Sequence, residues 1–162
     1  QIPLYYAHKN TGRPLKEGKW FEKFRSNYLD VDNDALYPFG YGLSYTTFRF
    51  SDITLNRSSI GMDNELVASV TVTNTGDRAG SEVVQLYIRD LVGSVTRPVK
   101  ELKGFEKIYL QPNESRTVRF TIAPEMLKFY NADLKFVAEP GDFDVMIGPD
   151  SRNVKTARFT LR

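Results

Sequence analysis

The sequence predicts an all-β protein: an antiparallel β-sandwich preceded by an irregular N-terminal extension. From Phe48 to the C-terminus, apolar residues recur at every second position in short runs, and turn residues such as Asn, Asp, Gly and Pro separate these runs. Before Phe48 there is little such alternation, and aromatic residues stand among Gly, Pro and polar residues instead. With 162 residues, the chain is long enough for one domain with a real core plus the extension.

The predicted strands follow one another at short intervals. The first has one irregularity, the fourth a bulge at Gly104, and the sixth unit is a small hairpin. In order, they cover residues 48–55, 66–73, 82–90, 99–110, 115–122, 128–137, 141–147 and 154–161. Seven or eight short strands at this spacing indicate an immunoglobulin or fibronectin type III-like sandwich. Because the chain has no cysteine, the fibronectin type is favoured.

Three details refine this prediction. In the third strand, Val84, Leu86 and Ile88 occupy one face, and the residues between them occupy the other. Between the fifth strand and the hairpin, Pro124-Glu125-Met126-Leu127 predicts one helical turn, because Pro suits the first position of a helix. Tyr87, Tyr109 and Tyr130 fall within strand patterns and are predicted to be core or cross-strand residues.

The extension carries an unusual number of aromatic residues. Trp20, Phe24 and Tyr28 are spaced four apart, which predicts a short helix with one aromatic face. The run Tyr37 to Tyr45 alternates aromatic residues with glycine, which is typical of a rigid hinge between two packed bodies. Exposed aromatic patches are rare in monomers, so we expect these side chains to pack on a partner surface. The predicted interface residues are Trp20, Phe21, Phe24, Tyr28, Tyr37, Phe39, Tyr41 and Tyr45.

Composition excludes several classes of partner and site. The formal net charge is +2, with no run of like charges, so neither a nucleic acid nor a membrane partner is expected.

No apolar stretch approaches the ~20 residues that span a bilayer. Gln1 is not an initiator Met, and residues 1–20 lack a signal-peptide pattern. We therefore expect the chain to be part of a longer protein, with any export signal lost with the missing N-terminus.

No catalytic, cofactor or metal residue is predicted. The only histidine, His8, stands among polar residues and has no second histidine to work with. Asp30, Asp32 and Asp34 open a calcium-loop pattern, but Ala35 and Tyr41 stand where that loop needs Gly and Glu, so a solvated acidic turn is the better interpretation. No pair of carboxylates is singled out by its spacing for glycoside hydrolysis.

An independent carbohydrate-binding or protein-interaction module is the alternative function. Pyranose rings stack on exposed aromatic side chains, and Trp20, Tyr5, Tyr6 and Tyr28 are of the right type. Packing of these rings against another domain is the simpler explanation.

Three motifs resemble a known family. Gln1 to Pro14 resembles the exit from an α/β sandwich domain, and Tyr-Pro-Phe-Gly-Tyr-Gly-Leu-Ser-Tyr at 37–45 resembles the entry into a last domain. Asn74-Thr75-Gly76, Gln85-Leu86-Tyr87, Arg97-Pro98 and Glu101-Leu102-Lys103-Gly104-Phe105 resemble a fibronectin type III-like domain. Together they are similar to the C-terminal part of a family 3 glycoside hydrolase of the bacterial periplasmic β-glucosidase type.

This resemblance implies a domain division and a parent activity. Residues 1–47 are then the end of the preceding α/β sandwich domain with an aromatic-rich linker, and residues 48–162 are the fibronectin type III-like domain. The parent is a retaining β-glucosidase that hydrolyses terminal β-D-glucosyl residues in carbohydrate metabolism. Its nucleophilic Asp lies in an N-terminal (β/α)8 barrel and its acid/base Glu in the α/β sandwich, so this fragment alone is expected to be inactive.

The resemblance also implies partners and a location. The barrel and the α/β sandwich domain of the same parent chain are the expected partners, and the chain stabilises them. A glucoside or oligosaccharide is the substrate of the whole enzyme, and no cofactor is needed. The location implied is periplasmic or secreted.

Overall fold

The computed structural model describes residues 5–10, 12–14, 22–28 and 30–162. Over these ranges the chain forms eleven β-strands, one short 3₁₀ helix and no α-helix. No helix in the described part has the length and apolarity that crossing a bilayer requires. The predicted all-β class is confirmed. The strands are β1 Phe48–Phe50, β2 Thr54–Leu55, β3 Ser59–Ile60, β4 Leu66–Asn74, β5 Gly80–Asp90, β6 Glu101–Leu110, β7 Ser115–Ile122, β8 Phe129–Tyr130, β9 Phe136–Val137, β10 Gly141–Gly148 and β11 Lys155–Leu161.

Two sheets and a small hairpin make up the sandwich. In the four-stranded sheet, β4 pairs with β7 along one edge and with the short β1 and β2 along the other. The five-stranded sheet has the order β3-β11-β10-β5-β6. All of these pairs are antiparallel except β3 with β11, and β8 and β9 form the separate hairpin. The predicted antiparallel sandwich is therefore confirmed.

The core lies between the inner faces of the two sheets. Along β4 every second side chain is fully buried, as the alternation predicted. Val84, Leu86 and Ile88 of β5 also belong to this core. Each fully buried aliphatic side chain stabilises the fold by about 1.5–3 kcal/mol relative to exposure. The buried core comprises Ile60, Leu66, Ala68, Val70, Val72, Val84, Leu86, Ile88, Ile108, Leu110, Val118, Ile122, Leu127, Phe143, Val145, Ile147, Phe159 and Leu161.

Several local predictions hold. The irregularity in the first predicted strand separates β1 from β2. The bulge predicted at Gly104 is confirmed, because the β5–β6 register shifts between Leu86, which pairs with Gly104, and Tyr87, which pairs with Leu102. The predicted helical turn is a 3₁₀ helix over Pro124–Leu127, with Pro in its first turn.

The predicted helix over residues 20–28 is wrong for its described part, residues 22–28. These residues form a turn and an isolated bridge that pairs Ser26 with Pro14. Phe24 has a φ of 64°, in the left-handed region that no right-handed helix uses. The amide of Ser26 donates to the carbonyl of Arg13 at 2.9 Å, so a contact outside the segment replaces a helical bond. Trp20 and Phe21 lie outside the described residues.

Candidate docking surface

The outer face of the five-stranded sheet is covered at the centre of β5. Gln85 and Tyr87 point away from the core side chains of β5, yet Gln85 is only 4% exposed and Tyr87 is 0% exposed. Burial of a polar side chain on an outer face requires another segment to lie over it and supply hydrogen bonds. That segment is the N-terminal extension.

Tyr87 is covered by the ring of Tyr6, and Phe39 from a distant part of the extension supports that ring. The ring of Tyr6 stacks on Phe39 with 4.2 Å between centroids, and it meets Tyr87 edge-on at 5.8 Å. The hydroxyl of Tyr6 accepts a hydrogen bond from the amide of Leu102 at 3.4 Å. Because one face of Tyr6 lies on Phe39 and its hydroxyl is used by β6, Tyr6 does not offer the open ring that a sugar platform needs.

Gln85 joins the extension to the sheet through what we call the Gln85 latch, its bonds to Gly40, Pro149 and Tyr87. The side-chain amide donates to the carbonyl oxygens of Gly40, at 3.1 Å, and of Pro149. Its oxygen accepts from the Tyr87 hydroxyl at 2.5 Å. Burial of the Tyr87 hydroxyl raises its pKa well above the usual value, so it stays a donor. All three partners satisfy a buried amide that would otherwise be costly.

Glycine is required at position 40 for two reasons. The amide of Tyr41 donates to the carbonyl of Pro38 at 3.0 Å, which closes a turn with Gly40 in its third position. There Gly40 has a φ of 80°, which L side chains rarely adopt. A Cβ on Gly40 would also overlap the side-chain amide of Gln85.

The β10–β11 loop holds the extension from the other side. Asp150 is buried, and its carboxylate accepts from the amides of Arg152 and Asn153, both at 2.8 Å. The loop so ordered presents the amide of Ser151, which donates to the carbonyl of Phe39 at 2.9 Å. Arg152 donates to the carbonyl of Ala35.

A second buried amide ties the end of the extension to the sandwich. Asn74 is fully buried at the end of β4. Its side-chain oxygen accepts from the hydroxyl of Thr46 at 2.6 Å, and its nitrogen donates to the carbonyls of Arg78 and Leu110 at 2.7 and 3.1 Å. Residues 36–45 are therefore attached to the sandwich at both ends.

This attached segment, residues 36–45, is here called the belt, and it exposes a row of large apolar side chains. Tyr45 is 92% exposed and Leu43 is 88% exposed. Tyr37 and Tyr41 form a tilted ring pair with centroids 5.4 Å apart, and both are exposed. Phe39 stacks on Tyr6 and is still nearly half exposed. A fixed row of this kind is typical of a surface that another protein body covers.

The remaining predicted interface residues lie apart from the belt. Phe24 is exposed, with the ammonium group of Lys23 5.2 Å from its ring centre. Tyr28 is half-buried, and its amide donates to the side chain of Asn33 at 3.0 Å. The structure therefore brings Tyr37, Phe39, Tyr41 and Tyr45 together along one segment and leaves these two elsewhere.

Sequence reasoning missed part of the exposed apolar surface. Phe105 of β6 is exposed, and it lies directly opposite Gln85 in the strand register. Tyr109, predicted as a core or cross-strand residue, is a cross-strand residue opposite Ser81, and more than half of it is exposed. The signal was available, because the neighbouring Ile108 and Leu110 are the buried residues of β6 and alternation places Tyr109 outside. Tyr130 does form a cross-strand ring pair with Phe136, at 5.0 Å.

The acidic turn contributes an ion pair to this surface. Asp34 lies 3.7 Å from the guanidinium of Arg152. Asp32 accepts from the amide of Asp34 at 3.2 Å, which is a turn-stabilising bond within the segment. Among the residues that the structure describes, no three potential metal-ligating side chains converge, here or elsewhere.

A groove of about 770 Å³ separates residues 33–39 from the outer face of the sheet. Aromatic rings and cations dominate its lining. Lys100 donates to the carbonyl of Ser151 at 2.6 Å. Burial, and then the positive charge of Arg89, lower the pKa of the Lys100 ammonium group. The lining side chains include Tyr5, Tyr37, Phe39, Arg89, Lys100 and Met146, together with the ion pair of Asp34 and Arg152.

Comparisons with known proteins place this surface in context. Residues 82–151 match the family model of the fibronectin type III-like domain. The chain is 55% identical over 161 residues to a periplasmic β-glucosidase of Salmonella typhimurium. This alignment covers 99% of this chain and 21% of that protein. The chain is 44% identical over 164 residues to a β-xylosidase of Formosa agariphila, covering 100% of this chain and 22% of that protein.

Solved structures are also similar to this chain over nearly its whole length. The crystal structure of a β-glucosidase from Listeria innocua in complex with glucose superimposes with a TM-score of 0.93 at 42% identity. The match covers 99% of this chain and 22% of that one. The chain therefore spans about a fifth of the length of the relatives that it matches.

Proposed function

Because the chain belongs to the fibronectin type III-like region of the family 3 β-glucosidases, we propose that it is the C-terminal accessory domain of such an enzyme. The parent protein hydrolyses terminal β-D-glucosyl residues of glucosides or oligosaccharides, in the periplasm or outside the cell. This chain supplies no catalytic residue and stabilises the catalytic domains that precede it. Residues 1–47 end the preceding domain and link it to the domain at 48–162.

The belt is the observation that carries this proposal. Its side chains are exposed although hydrogen bonds from Gln85 to the Gly40 carbonyl, and from the neighbouring Thr46 hydroxyl to Asn74, attach it to the sandwich. Holding apolar side chains in water in one conformation has no benefit for an isolated domain. Burying each against a partner stabilises the assembly by about 1.5–3 kcal/mol. The absent four-fifths of the relatives' length supplies a covalently attached partner.

The comparisons also support placing sugar choice outside this chain. A protein named a β-glucosidase and one named a β-xylosidase both align with essentially all of it, at 55% and 44% identity. Two sugars that differ by a hydroxymethyl group are thus associated with one type of accessory domain. Specificity then depends on residues of the preceding domains.

The proposal is tested in the intact parent enzyme. Leu43→Ser and Tyr45→Ser, combined, should lower the temperature at which the enzyme loses activity and leave kcat below that temperature unchanged. Leu134→Ser is the matched control, since Leu134 is equally exposed but lies in the β8–β9 hairpin. Equal inactivation temperatures for the belt variant, the control and the unmodified enzyme would contradict the proposal.

An independent carbohydrate-binding module is the alternative, and the exposed rings of Tyr5 and Tyr37 in the groove favour it. Titration of the isolated chain with glucosides distinguishes the two functions. Millimolar binding that Tyr37→Ala abolishes would support the alternative. We expect no saturable binding.

A further inference from the structure

Two cations that line the groove form no ion pair with a described carboxylate. Arg89 is half-buried on the outer face of β5, two residues beyond Tyr87. Within the described ranges of the chain, its guanidinium has neither a hydrogen bond nor an ion pair. Lys100 is also half-buried, and its one hydrogen bond goes to a neutral carbonyl.

The nearby acidic side chains are engaged elsewhere. Asp144 is the register neighbour of Arg89, but its carboxylate binds Arg158 at 2.9 Å. Asp34 pairs with Arg152, and the oxygens of Asp150 accept three bonds within its own loop. Asp34 lines the groove, and both Asp34 and Asp150 partly offset the positive charge at Lys100. Among the described residues, however, no carboxylate forms an ion pair with Arg89 or Lys100.

This arrangement is unfavourable for the chain by itself. Two like charges in a partly desolvated groove repel each other more strongly than in water. Burial of the ammonium group and then the charge of Arg89 lower the pKa of Lys100, and the attraction of Asp34 and Asp150 does not cancel these effects. An anion between the two groups would offset both effects, because it attracts each cation in the same low-dielectric surroundings.

We propose that the groove receives an acidic side chain, Asp or Glu, from the preceding domains of the parent β-glucosidase, and that Arg89 and Lys100 bind its carboxylate. This inference rests on the proposed function, since it names the chemistry of the docked partner. Arg89 suits the role because a guanidinium binds a carboxylate through two parallel hydrogen bonds. The rings of Tyr5 and Tyr37 line the same groove and exclude water from the pair once the domains dock.

The test compares the intact parent enzyme with the isolated chain. Arg89→Met and Lys100→Met keep most of each side chain's apolar length and remove the charge. In the intact enzyme, each is expected to raise the rate of thermal inactivation about tenfold or more, as loss of one partner from a desolvated charge pair does. In the isolated chain, Arg89→Met should leave the midpoint of urea unfolding unchanged or raise it, because repulsion is relieved. Lys100→Met should lower that midpoint by no more than the loss of its one hydrogen bond to Ser151 explains. Arg119→Met, at an exposed position on β7, is the control and should change neither.

Three results would overturn the inference. The first is the same destabilisation in the isolated chain and in the intact enzyme, which would assign the cations a role within this domain. The second is unchanged inactivation in the intact enzyme while Leu43→Ser with Tyr45→Ser still destabilises it. In that case the belt docks without a carboxylate in the groove, and the proposed function stands. If the belt variant also has no effect, the proposed function fails with it. Saturable binding of glucuronate to the isolated chain, lost in Arg89→Met, would assign the groove to a free ligand instead and contradict the inference.

Discussion

The side-chain amide of Gln85 donates a hydrogen bond to the backbone carbonyl of Gly40, 3.1 Å away, across 45 residues of sequence. This bond connects the middle of the five-stranded sheet to the exposed belt. Since Gln85 also binds Pro149 and Tyr87, the position of the belt depends on a side chain that is itself held in place. The orientation of the exposed rings is thus set by the sandwich.

Replacement of Gln85 by Leu should therefore destabilise the chain and release the belt. The Tyr87 hydroxyl and the carbonyls of Gly40 and Pro149 lose their partner, and each buried polar group left unsatisfied costs about 1–3 kcal/mol. Urea unfolding should show a loss of at least about 2 kcal/mol. Gln111→Leu, in the exposed β6–β7 turn, is the matched control. A loss no larger than that of the control would mean that the latch does not hold the belt.

Gly40→Ala should cost about 1–3 kcal/mol of unfolding free energy, because alanine is strained at a φ of 80° and its Cβ would overlap Gln85. Gly42→Ala should be neutral or slightly stabilising, since no other atom lies within 4 Å of a Cβ placed there. Each substitution adds one methyl group, and the two positions are two residues apart. Equal midpoints in urea for the pair would contradict the assigned turn.

A pH-dependent contribution is expected from Asp90 at the end of β5. Its side chain is 6% exposed and lies 3.6 Å from the Nε atom of Arg97. The guanidinium of Arg97 also lies over the ring of Phe129, 4.1 Å from its centre, and binds Glu101 at 2.9 Å. Burial raises the pKa of the Asp90 carboxyl above its usual 3.8, although Arg97 and the amide of Val92 act in the opposite direction. Glu139 and Glu101 raise it further.

The raised pKa of Asp90 determines how its contribution to stability changes with pH. A carboxyl whose pKa is higher in the folded chain binds its proton more tightly there than in the unfolded chain. Its contribution to stability is therefore greatest at low pH and is lost as pH rises from about 3.8 through the folded pKa. Asp90→Asn removes this loss, so the stability of the variant relative to the native chain should increase with pH. Urea unfolding at several pH values from about 4 upward measures it. A relative stability that decreases with pH would contradict the prediction.

Local patterns in the sequence predict the sandwich well. The alternation of Val84, Leu86 and Ile88 identifies the buried face of β5. Gly104 identifies the position of the bulge in β6, the strand that pairs with β5. These signals depend only on neighbours along one strand. Strand β3 has two residues and pairs in parallel with β11, so it offers no periodicity to detect. The helix predicted around Phe24 fails because four-residue spacing carries no information about a left-handed backbone.

The candidate surface could be predicted only in part. Aromatic content identified Tyr37, Phe39, Tyr41 and Tyr45 as residues that need a partner, and that role stays a prediction. What covers the outer face of β5 is not readable from the sequence, because Tyr6 and Tyr87 meet across 81 positions through the fold of the extension. The unpaired cations of the groove are likewise a product of tertiary placement.

Amide hydrogen exchange across the belt is the most direct test of the account. Exchange of residues 36–45 should be measured in the isolated chain, dilute enough to be monomeric, and in the intact parent enzyme. Docking predicts that belt amides without a hydrogen bond exchange at least about tenfold more slowly in the parent, while the amides of β4 and β5 change little. Belt amides that exchange at the same rate in both proteins would mean that the exposed row is not covered, and the account of this chain as a docked accessory domain would be wrong.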